Sequence, residues 1–188
     1  MSIAFPQIEG TFPDVWGLGE ALEIRVSMVG EGLPLPGRAV SLSANGEHLC
    51  GMSLDSGSQG SIFHTFSSKG SYAVAARFRG DGALAPSVSP RVVRIVDYRE
   101  EMVALFNELV AWFKGRGADI GVETTPRELQ AKLLDRFSTI DQKALDTVIY
   151  CFEEANYSLH PIARSNYKAM FRAQQQVRES VGGQGEAQ

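Results

Sequence analysis

The 188-residue chain has little of three features that each mark a class of protein. Its two cysteines are too few for a disulfide-rich secreted domain. It contains no apolar run near the roughly 20 residues that span a bilayer. Neither charge sign dominates, because 18 basic residues stand against 22 acidic ones, and the net charge of −4 offers no broad basic surface to a nucleic-acid backbone. These features predict a protein without a membrane span in this chain and without a nucleic-acid partner.

The N-terminal sequence and the cysteine usage bear on location. Residues 1–10 lack the basic start and the apolar stretch of a secretory signal. No disulfide between Cys50 and Cys151 is expected, which fits a reducing compartment. We therefore predict a cytoplasmic location.

Glycine and proline are distributed unevenly along the chain. Residues 1–98 contain 13 of the 19 glycines and six of the eight prolines, whereas each half carries a net charge of −2. Each half is long enough for one small core. The predicted segments are an N-terminal extension at 1–17, a β domain at 18–97, a helical domain at 98–179 and a disordered tail at 180–188.

In the first half, apolar and polar residues alternate as they do in half-buried strands. The clearest examples are Leu22–Met28, Val40–Ala44 and Tyr72–Phe78. Turn-forming sequences separate them, including Asn45-Gly46, which suits a tight hairpin. Short strands with frequent turns predict an antiparallel β-sandwich.

In the second half, apolar residues recur with helical spacing. Four helices are predicted to begin near Asp97, Thr125, Asp141 and Ser165. The second has the strongest start signal, because Thr125 is a good N-cap, Pro126 fits the first turn and Glu128 can complete a capping box. The pattern predicts a small four-helix bundle.

Residues 18–96 contain a set of motifs that is typical of one kind of β domain. The stretches are Leu22–Val29, Gly32–Val40, Asp55–Phe66 and Lys69–Ala76. With them, this region resembles the immunoglobulin-like domains of bacterial and archaeal surface and adhesive proteins. The resemblance implies a Greek-key sandwich without shared catalytic residues, acting as a spacer or a ligand-presenting module.

Two motifs in the second half, Thr125–Leu129 and Phe152–Ser158, support another resemblance. Residues 98–178 resemble the helical domain of unknown function at the C-terminus of transglutaminase-like membrane proteins of bacteria and archaea. This implies a prokaryotic chain that is either a soluble segment of a longer membrane protein, on its cytoplasmic side, or a stand-alone relative. The transglutaminase core is absent here, so no papain-like Cys-His-Asp site is carried over.

Few side chains are candidates for chemistry near neutral pH. They are Cys50, Cys151, His48, His64 and His160. His48 and Cys50 share one face of a predicted strand, but nothing nearby completes a four-ligand zinc site. Cys151 lies in an apolar helix and is expected to be a buried structural thiol. No catalytic residue, metal or cofactor is predicted.

The helical motifs have two interpretations. The residues concerned are Thr125, Pro126, Arg127, Glu128, Glu153, Glu154 and Tyr157. In one interpretation, Glu153, Glu154 and His160 form a hydrolase site. In the favoured one, the residues cap helices and form an Arg–carboxylate pair, since carboxylates without a Ser, Cys or metal partner specify no reaction.

Three further residues are candidates for an interaction surface. Arg77 and Arg79 alternate on one predicted strand, where they could form a binding face or serve as solvated charges that oppose edge pairing. Trp112 adjoins Phe113, so one of the two rings must point away from the apolar stripe. It could pack against the β domain.

These observations predict a non-enzymatic protein-interaction or scaffold module that is a soluble part of a larger assembly. Its partner is a protein that the sequence does not identify, and pairing of sheet edges could produce a homo-oligomer. The alternative is an accessory cytoplasmic domain of a membrane-anchored transglutaminase-like or peptidase-like system.

Overall fold

The structure is a computed structural model that describes residues 1–8 and 15–182. The chain divides into two compact units, Met1–Val96 and Asp97–Gln188. Strands make up the regular structure of the first unit and four helices that of the second. The order predicted from the sequence, a β region followed by helices, is confirmed.

The described part of the first unit contains ten strands. Their bounds are Ser2–Ala4 (β1), Val15–Gly17 (β2), Ala21–Ser27 (β3), Val29–Gly30 (β4), Leu33–Pro34 (β5), Ala39–Ala44 (β6), Glu47–Ser53 (β7), Gln59–Thr65 (β8), Gly70–Phe78 (β9) and Ser87–Val96 (β10). The strand order is β1-β3-β8 in a three-stranded sheet and β2-β10-β9-β6-β7 in a five-stranded sheet, with β4 and β5 paired separately.

The two larger sheets contribute side chains to one hydrophobic core. Leu22, Ile24 and Val26 of β3 enter it from the three-stranded sheet, and Val74 and Ala76 of β9 enter it from the five-stranded sheet. All five are fully buried. Because successive side chains in a strand point to opposite faces, the intervening residues lie on the outer faces.

The N-terminal residues belong to the sheets, which corrects the expectation of an extension over 1–17. β1 pairs antiparallel with β3, and β2 pairs parallel with β10. The five-stranded sheet is therefore mixed, whereas only antiparallel pairing was expected. Ile3, Phe5 and Trp16 join the core, and strands of three residues are too short to reveal an alternation in the sequence. Residues 9–14 of the predicted extension lie outside the described residues.

The Asn45-Gly46 turn joins β6 to β7 as predicted. Both residues have positive φ values, 50° and 86°, which tight hairpin turns of this kind require. The Asn45 side chain also accepts a hydrogen bond from the Ala73 N–H (2.8 Å) and donates one to the Ser71 carbonyl oxygen (3.2 Å). The turn is thereby fixed to β9.

The second unit contains four helices within its described residues, 97–182. They are Tyr98–Gly115 (α1), Pro126–Arg136 (α2), Gln142–Tyr157 (α3) and Arg164–Gly182 (α4). The first three have side-chain N-caps, provided by Asp97, Thr125 and Asp141. α4 continues through residues 180–182, which were assigned to the tail, and the remaining tail residues, 183–188, lie outside the described part of the chain.

Aromatic side chains connect the helices. The Phe106 ring of α1 stacks on Phe152 of α3 with 3.8 Å between centroids, and Tyr98 stacks on Tyr167 of α4 at 5.6 Å. Gln174 of α4 is buried, and its amide donates to the Leu105 carbonyl oxygen (2.8 Å). Over the described residues, none of the helices combines the length and the hydropathy that crossing a membrane would need.

The place of Phe5 in the core can be tested by unfolding. Phe5 is 1% exposed, so Phe5→Ala should reduce the free energy of unfolding of the β unit by about 3–5 kcal/mol through lost burial and a cavity. Urea unfolding followed by Trp16 fluorescence in a Trp112→Phe background measures this change. Phe63→Ala, at a side chain that is 68% exposed, is the control and should change the value by less than about 0.5 kcal/mol. Equal stability of the Phe5→Ala variant and the parent protein would contradict the assignment.

Candidate functional site

The face of the five-stranded sheet that points away from the core is made largely of small residues. One row across four strands contains Val88, Arg77, Ser41 and Gly51, which face one another in register. The next row contains Pro90, Ala75, Ser43 and His48, and Val92 lies beside Ala73 in a third. We call these ten residues the outer face.

Two features make the outer face smooth. The Ser41 and Ser43 hydroxyl groups turn back to the β9 carbonyl oxygens of Arg77 and Ala75, both at 3.5 Å. Gly51 has no side chain, and a Cβ added there would meet no heavy atom closer than the Val40 carbonyl oxygen at 4.0 Å. These residues therefore leave few side-chain atoms above the backbone of β6 and β7, apart from the exposed His48 ring.

β10 contributes an apolar band to the outer face. Val88 and Val92 are 54% and 55% exposed, and Pro90 between them is exposed as well. Exposed valines at alternate positions of β10, with Val92 beside Ala73 and Val88 beside Arg77, are unusual for a solvated sheet, whose outer positions are commonly polar. Contiguous exposed apolar surface of this kind marks interaction sites.

A groove of about 500 Å³ lies where the outer face meets the start of β6 and the end of β9. Its side chains and floor include Arg38, Ser41, Gly51, Arg77, Arg79 and Asp81. The groove exists because the side chains become shorter across this row, from Arg77 through Ser41 to Gly51, which has none. We call it the arginine groove; it brings the predicted residues Arg77 and Arg79 together with Arg38, which the sequence analysis did not select.

Asp81 organises one wall of the arginine groove. Its carboxylate accepts hydrogen bonds from the Ala83 and Leu84 N–H groups (both 2.9 Å) and forms an ion pair with the Arg38 guanidinium (2.5 Å). The backbone hydrogen bond from Ala83, followed by that from Leu84 and the charge of Arg38, lowers the pKa of Asp81. Asp81 is therefore ionised at neutral pH and holds Arg38 in place.

The predicted helical motif is placed around the start of α2 and along α3. Thr125 and Glu128 form a reciprocal capping box, in which the Glu128 carboxylate accepts from the Thr125 N–H (2.9 Å). Pro126 occupies the first turn. Arg127 makes a two-bond contact with Glu153 of α3, at 2.8 Å and 2.5 Å, and this hydrogen bond raises the pKa of the Arg127 guanidinium.

The remaining motif residues lie near the end of α3. Glu154 accepts a hydrogen bond from the Asn166 side chain of α4 (2.9 Å). Tyr157 is exposed, and its ring is nearly perpendicular to that of Phe152, with 6.5 Å between the centroids. The His160 carbonyl oxygen, rather than its ring, takes part in the adjacent network by accepting from Arg99 (2.7 Å).

Arg99 of α1 binds the C-terminal end of α3, a role that the sequence did not reveal. Its guanidinium donates to the carbonyl oxygens of Ala155, Ser158 and His160, the last two at 2.7 Å. The last carbonyl groups of a helix have no partner within the helix and carry partial negative charge. One cation therefore satisfies three acceptors and joins α1 to α3.

Trp112 lies between two arginines of the helical unit. The Arg116 guanidinium is 3.6 Å from the ring centroid and that of Arg178 on α4 is 5.9 Å away. The neighbouring Phe113 is fully buried and contacts the Phe137 ring. The structure thus gives Trp112 cation–π partners from α1 and α4, and its predicted packing against the β domain stays a prediction.

The cysteines are both free thiols. Burial, and then the charge of Glu154, raise the pKa of Cys151 to about 11, and burial raises the pKa of Cys50. Both are therefore protonated at neutral pH. Within residues 1–8 and 15–182, no group of three or more His, Cys, Asp or Glu side chains is arranged to hold a metal ion.

Comparison with known proteins identifies no family. No protein-family model matches the chain, and the curated proteins include no match. Two solved structures of the CARDB domain of a Pyrococcus furiosus protein are similar to 50% of this chain, each with a TM-score of 0.36. The solution structure is 20% identical over 91% of its chain, and the crystal structure, described as a complex with di-metal ions, is 21% identical over 84%.

A third solved structure is Astrotactin-2, described as a vertebrate-specific and perforin-like membrane protein. It is 12% identical, with a TM-score of 0.32, over 96% of this chain and 37% of that one. At TM-scores this low, none of these similarities supports an argument about fold or function.

The capping box predicts a pH-dependent stability. Hydrogen bonds from Thr125 lower the pKa of Glu128 from its ordinary value of 4.5. Since the folded value is the lower one, this stabilisation is present above about pH 4.5 and is lost as the pH falls through the folded value. The melting temperature of Glu128→Gln should therefore lie below that of the parent at pH 7, and the gap should close toward pH 3 when circular dichroism at 222 nm is followed. In a Thr125→Ala background the gap should shrink only in part, because the hydroxyl contact is lost while the backbone N–H, which alanine retains, still donates to Glu128. Glu123→Gln removes the same charge from an exposed residue outside the box, and an equal gap in that variant would exclude the box as the cause.

Because Arg99 contacts three carbonyl groups, truncating its side chain should lower the free energy of unfolding of the helical unit substantially. Arg99→Ala should cost about 2–3 kcal/mol in the unfolding of the helices, because charged hydrogen bonds to carbonyl groups at a helix end are removed. Arg99→Lys should recover less than half of this, since an ammonium lacks the planar fork that reaches several acceptors. Lys114→Ala, at an exposed position of α1, is the control. Urea unfolding at 222 nm measures all three, and full recovery by lysine would show that charge alone matters.

Proposed function

We propose that the chain is a non-catalytic protein-interaction module that binds its partner through the outer face. The observation that carries this proposal is the exposed Val88–Val92 band on the five-stranded sheet. The same face carries small residues, and the serines among them donate their hydroxyl groups to backbone carbonyl oxygens of the sheet. Eight of the ten residues of the outer face, all but Arg77 and His48, are short or branched, so this surface can exclude water over a broad area with little loss of side-chain entropy.

The proposed architecture is an immunoglobulin-like β-sandwich followed by a four-helix bundle. The core shared by the three-stranded and five-stranded sheets supports the first part. The Phe106–Phe152 and Tyr98–Tyr167 stacks between helices support the second. In this arrangement the outer face is the free side of one sheet and is available to a partner.

The non-catalytic assignment is supported by what the candidate chemical groups do. Glu153 is held by Arg127 and Glu154 by Asn166, so each carboxylate of the alternative hydrolase site has a structural contact. The Cys151 thiol is protonated at neutral pH. These contacts favour the structural interpretation of the helical motif.

A scaffold role in a larger assembly is part of the same proposal. Among residues 1–8 and 15–182, β7 is the last strand of its sheet and pairs with β6 alone, so self-association through this edge is a second way in which the chain could contribute to an assembly. The cytoplasmic location, the prokaryotic origin and the alternative role beside a transglutaminase-like or peptidase-like system stay predictions that rest on the sequence.

The binding surface can be tested with two matched charge insertions. Val92→Asp should reduce capture of the partner from a lysate at least about tenfold, because a carboxylate in a desolvated apolar contact costs more than 1.4 kcal/mol. Phe63→Asp introduces the same charge at an exposed apolar residue of the three-stranded sheet and should leave capture unchanged. Quantitative mass spectrometry of the captured proteins gives the ratio.

Melting temperatures of both variants establish that the fold is retained. Equal capture by Val92→Asp and Phe63→Asp would overturn the proposed surface. Enrichment of no protein by the unaltered chain would overturn the interaction role itself.

A further inference from the structure

We infer that the arginine groove binds the carboxylate side chains of an acidic, extended segment of the protein partner. This inference rests on the proposed function and names the chemistry that the partner brings to one end of the outer face. It is carried by unpaired guanidinium groups, by the open floor beside them and by the apolar surface that continues from the groove.

The arginine groove contains two arginines whose charge is not balanced within the described chain. An exposed arginine in a sheet is stabilised by a carboxylate directly opposite on the next strand. Arg77 instead lies between Val88 on β10 and Ser41 on β6. Over residues 1–8 and 15–182, the Arg77 and Arg79 guanidinium groups make no ion pair or hydrogen bond, so two cations at the groove have no internal counter-ion.

Arg38 is the third arginine of the groove. Arg38 is already bound to Asp81, so its charge is compensated and its position is fixed. Its Nε atom is nevertheless buried and lacks an acceptor among the described residues. The groove thus combines one oriented cation with two uncompensated ones, a balance that favours an anionic occupant.

The groove is open above β6 and β7. The space above Gly51 is open, and Ser41 beside it is short, so side chains of an occupant can reach the arginines from above β6 and β7. A volume of about 500 Å³ is in the range of clefts that enclose several side chains or a small molecule. A carboxylate can accept two parallel hydrogen bonds from one guanidinium in such a place.

The surroundings favour an acidic peptide over a nucleic acid. Single-stranded nucleic acids bind where cations accompany exposed aromatic rings, on which bases stack. The aromatic residue lining the groove in the described chain is Phe78, which is buried in the core. Beyond the groove lie Val88 and Val92, which suit the apolar side chains of a peptide and offer nothing to a phosphate backbone.

The test uses the full chain and a fluorescein-labelled nine-residue peptide in which four glutamates are separated by serine and valine. Fluorescence anisotropy should show saturable binding that weakens as salt is added, because exposed charges are screened. The same peptide with glutamine in place of glutamate should bind at least about tenfold more weakly. Amide NMR signals of Gly37, Gly51 and Gly80, which line the groove, should shift during the titration.

Charge reversal within and outside the groove provides the matched pair. Arg77→Glu and Arg79→Glu should each weaken peptide binding at least about tenfold, whereas Arg25→Glu should change it less than about twofold. Arg25 lies on the three-stranded sheet and is paired with Glu23, so its reversal changes the net charge equally at a distant site. Gly51→Leu should also weaken binding, because it fills the open floor without a change of charge.

Several results would overturn the inference. They are equal binding of the glutamine peptide, an equal effect of Arg25→Glu, unshifted signals of the three glycines, or displacement of the peptide by inorganic phosphate or by an oligothymidylate at lower concentration than by the unlabelled peptide. If Val92→Asp removes a captured partner while the acidic peptide fails to bind, the outer face stands as the interaction surface and the acidic chemistry alone is wrong. If the peptide binds at the groove while Val92→Asp removes nothing, the acidic chemistry stands and the apolar contact is wrong.

Discussion

The register of β9 between β10 and β6 is the constraint on which the β unit depends. Val74, Ala76 and Phe78 must point into the shared core, and this alone directs the residues between them to the opposite side. A slip by one residue would bury Arg77 without a counter-charge and expose the apolar set, so the alternative registers are strongly disfavoured. The position of Arg77 in the arginine groove is therefore a consequence of core packing, whereas Arg38 is held there by Asp81.

The two faces of the five-stranded sheet have different roles, one in the core and one toward solvent. Inside, bulky aliphatic residues fill the space between the sheets. Outside, Ala73, Ala75, Ser41 and Ser43 keep the surface low, and the serines satisfy their hydroxyl groups on neighbouring carbonyl oxygens. The helical unit uses polar groups differently, because Arg99 and the Arg127–Glu153 pair connect helix to helix and leave few of their donors for anything else. The surface suited to a partner and the polar contacts that secure the helices thus lie on separate units.

Local signals were sufficient for much of this architecture. The alternation around Leu22–Met28, the Asn45-Gly46 turn and the Thr125–Glu128 box each depend on residues within a few positions of one another, and each predicted its element. The contacts that escaped prediction join distant positions. Arg38 and Asp81 are 43 residues apart and Gln174 reaches Leu105 across 69, so no spacing rule connects them. Arg77 and Arg79 were recognisable as a pair, but the groove required the register that aligns Arg77 with Ser41 and Gly51. The short N-terminal strands β1 and β2 escaped prediction for another reason, since three residues are too few to show an alternation of apolar and polar side chains.

The parallel pairing of β2 with β10 has a mechanical consequence. β1 and the buried Phe5 precede β2 in the chain, so tension reaches β2 once they are released; it then pulls β2 and β10 in opposite directions along their length. The hydrogen bonds between them are then loaded together, in shear, and cannot be opened one after another like a zipper. Because the same strand pair closes the sheet next to the exposed valines of β10, a partner bound on those valines would sit beside the element that bears the load.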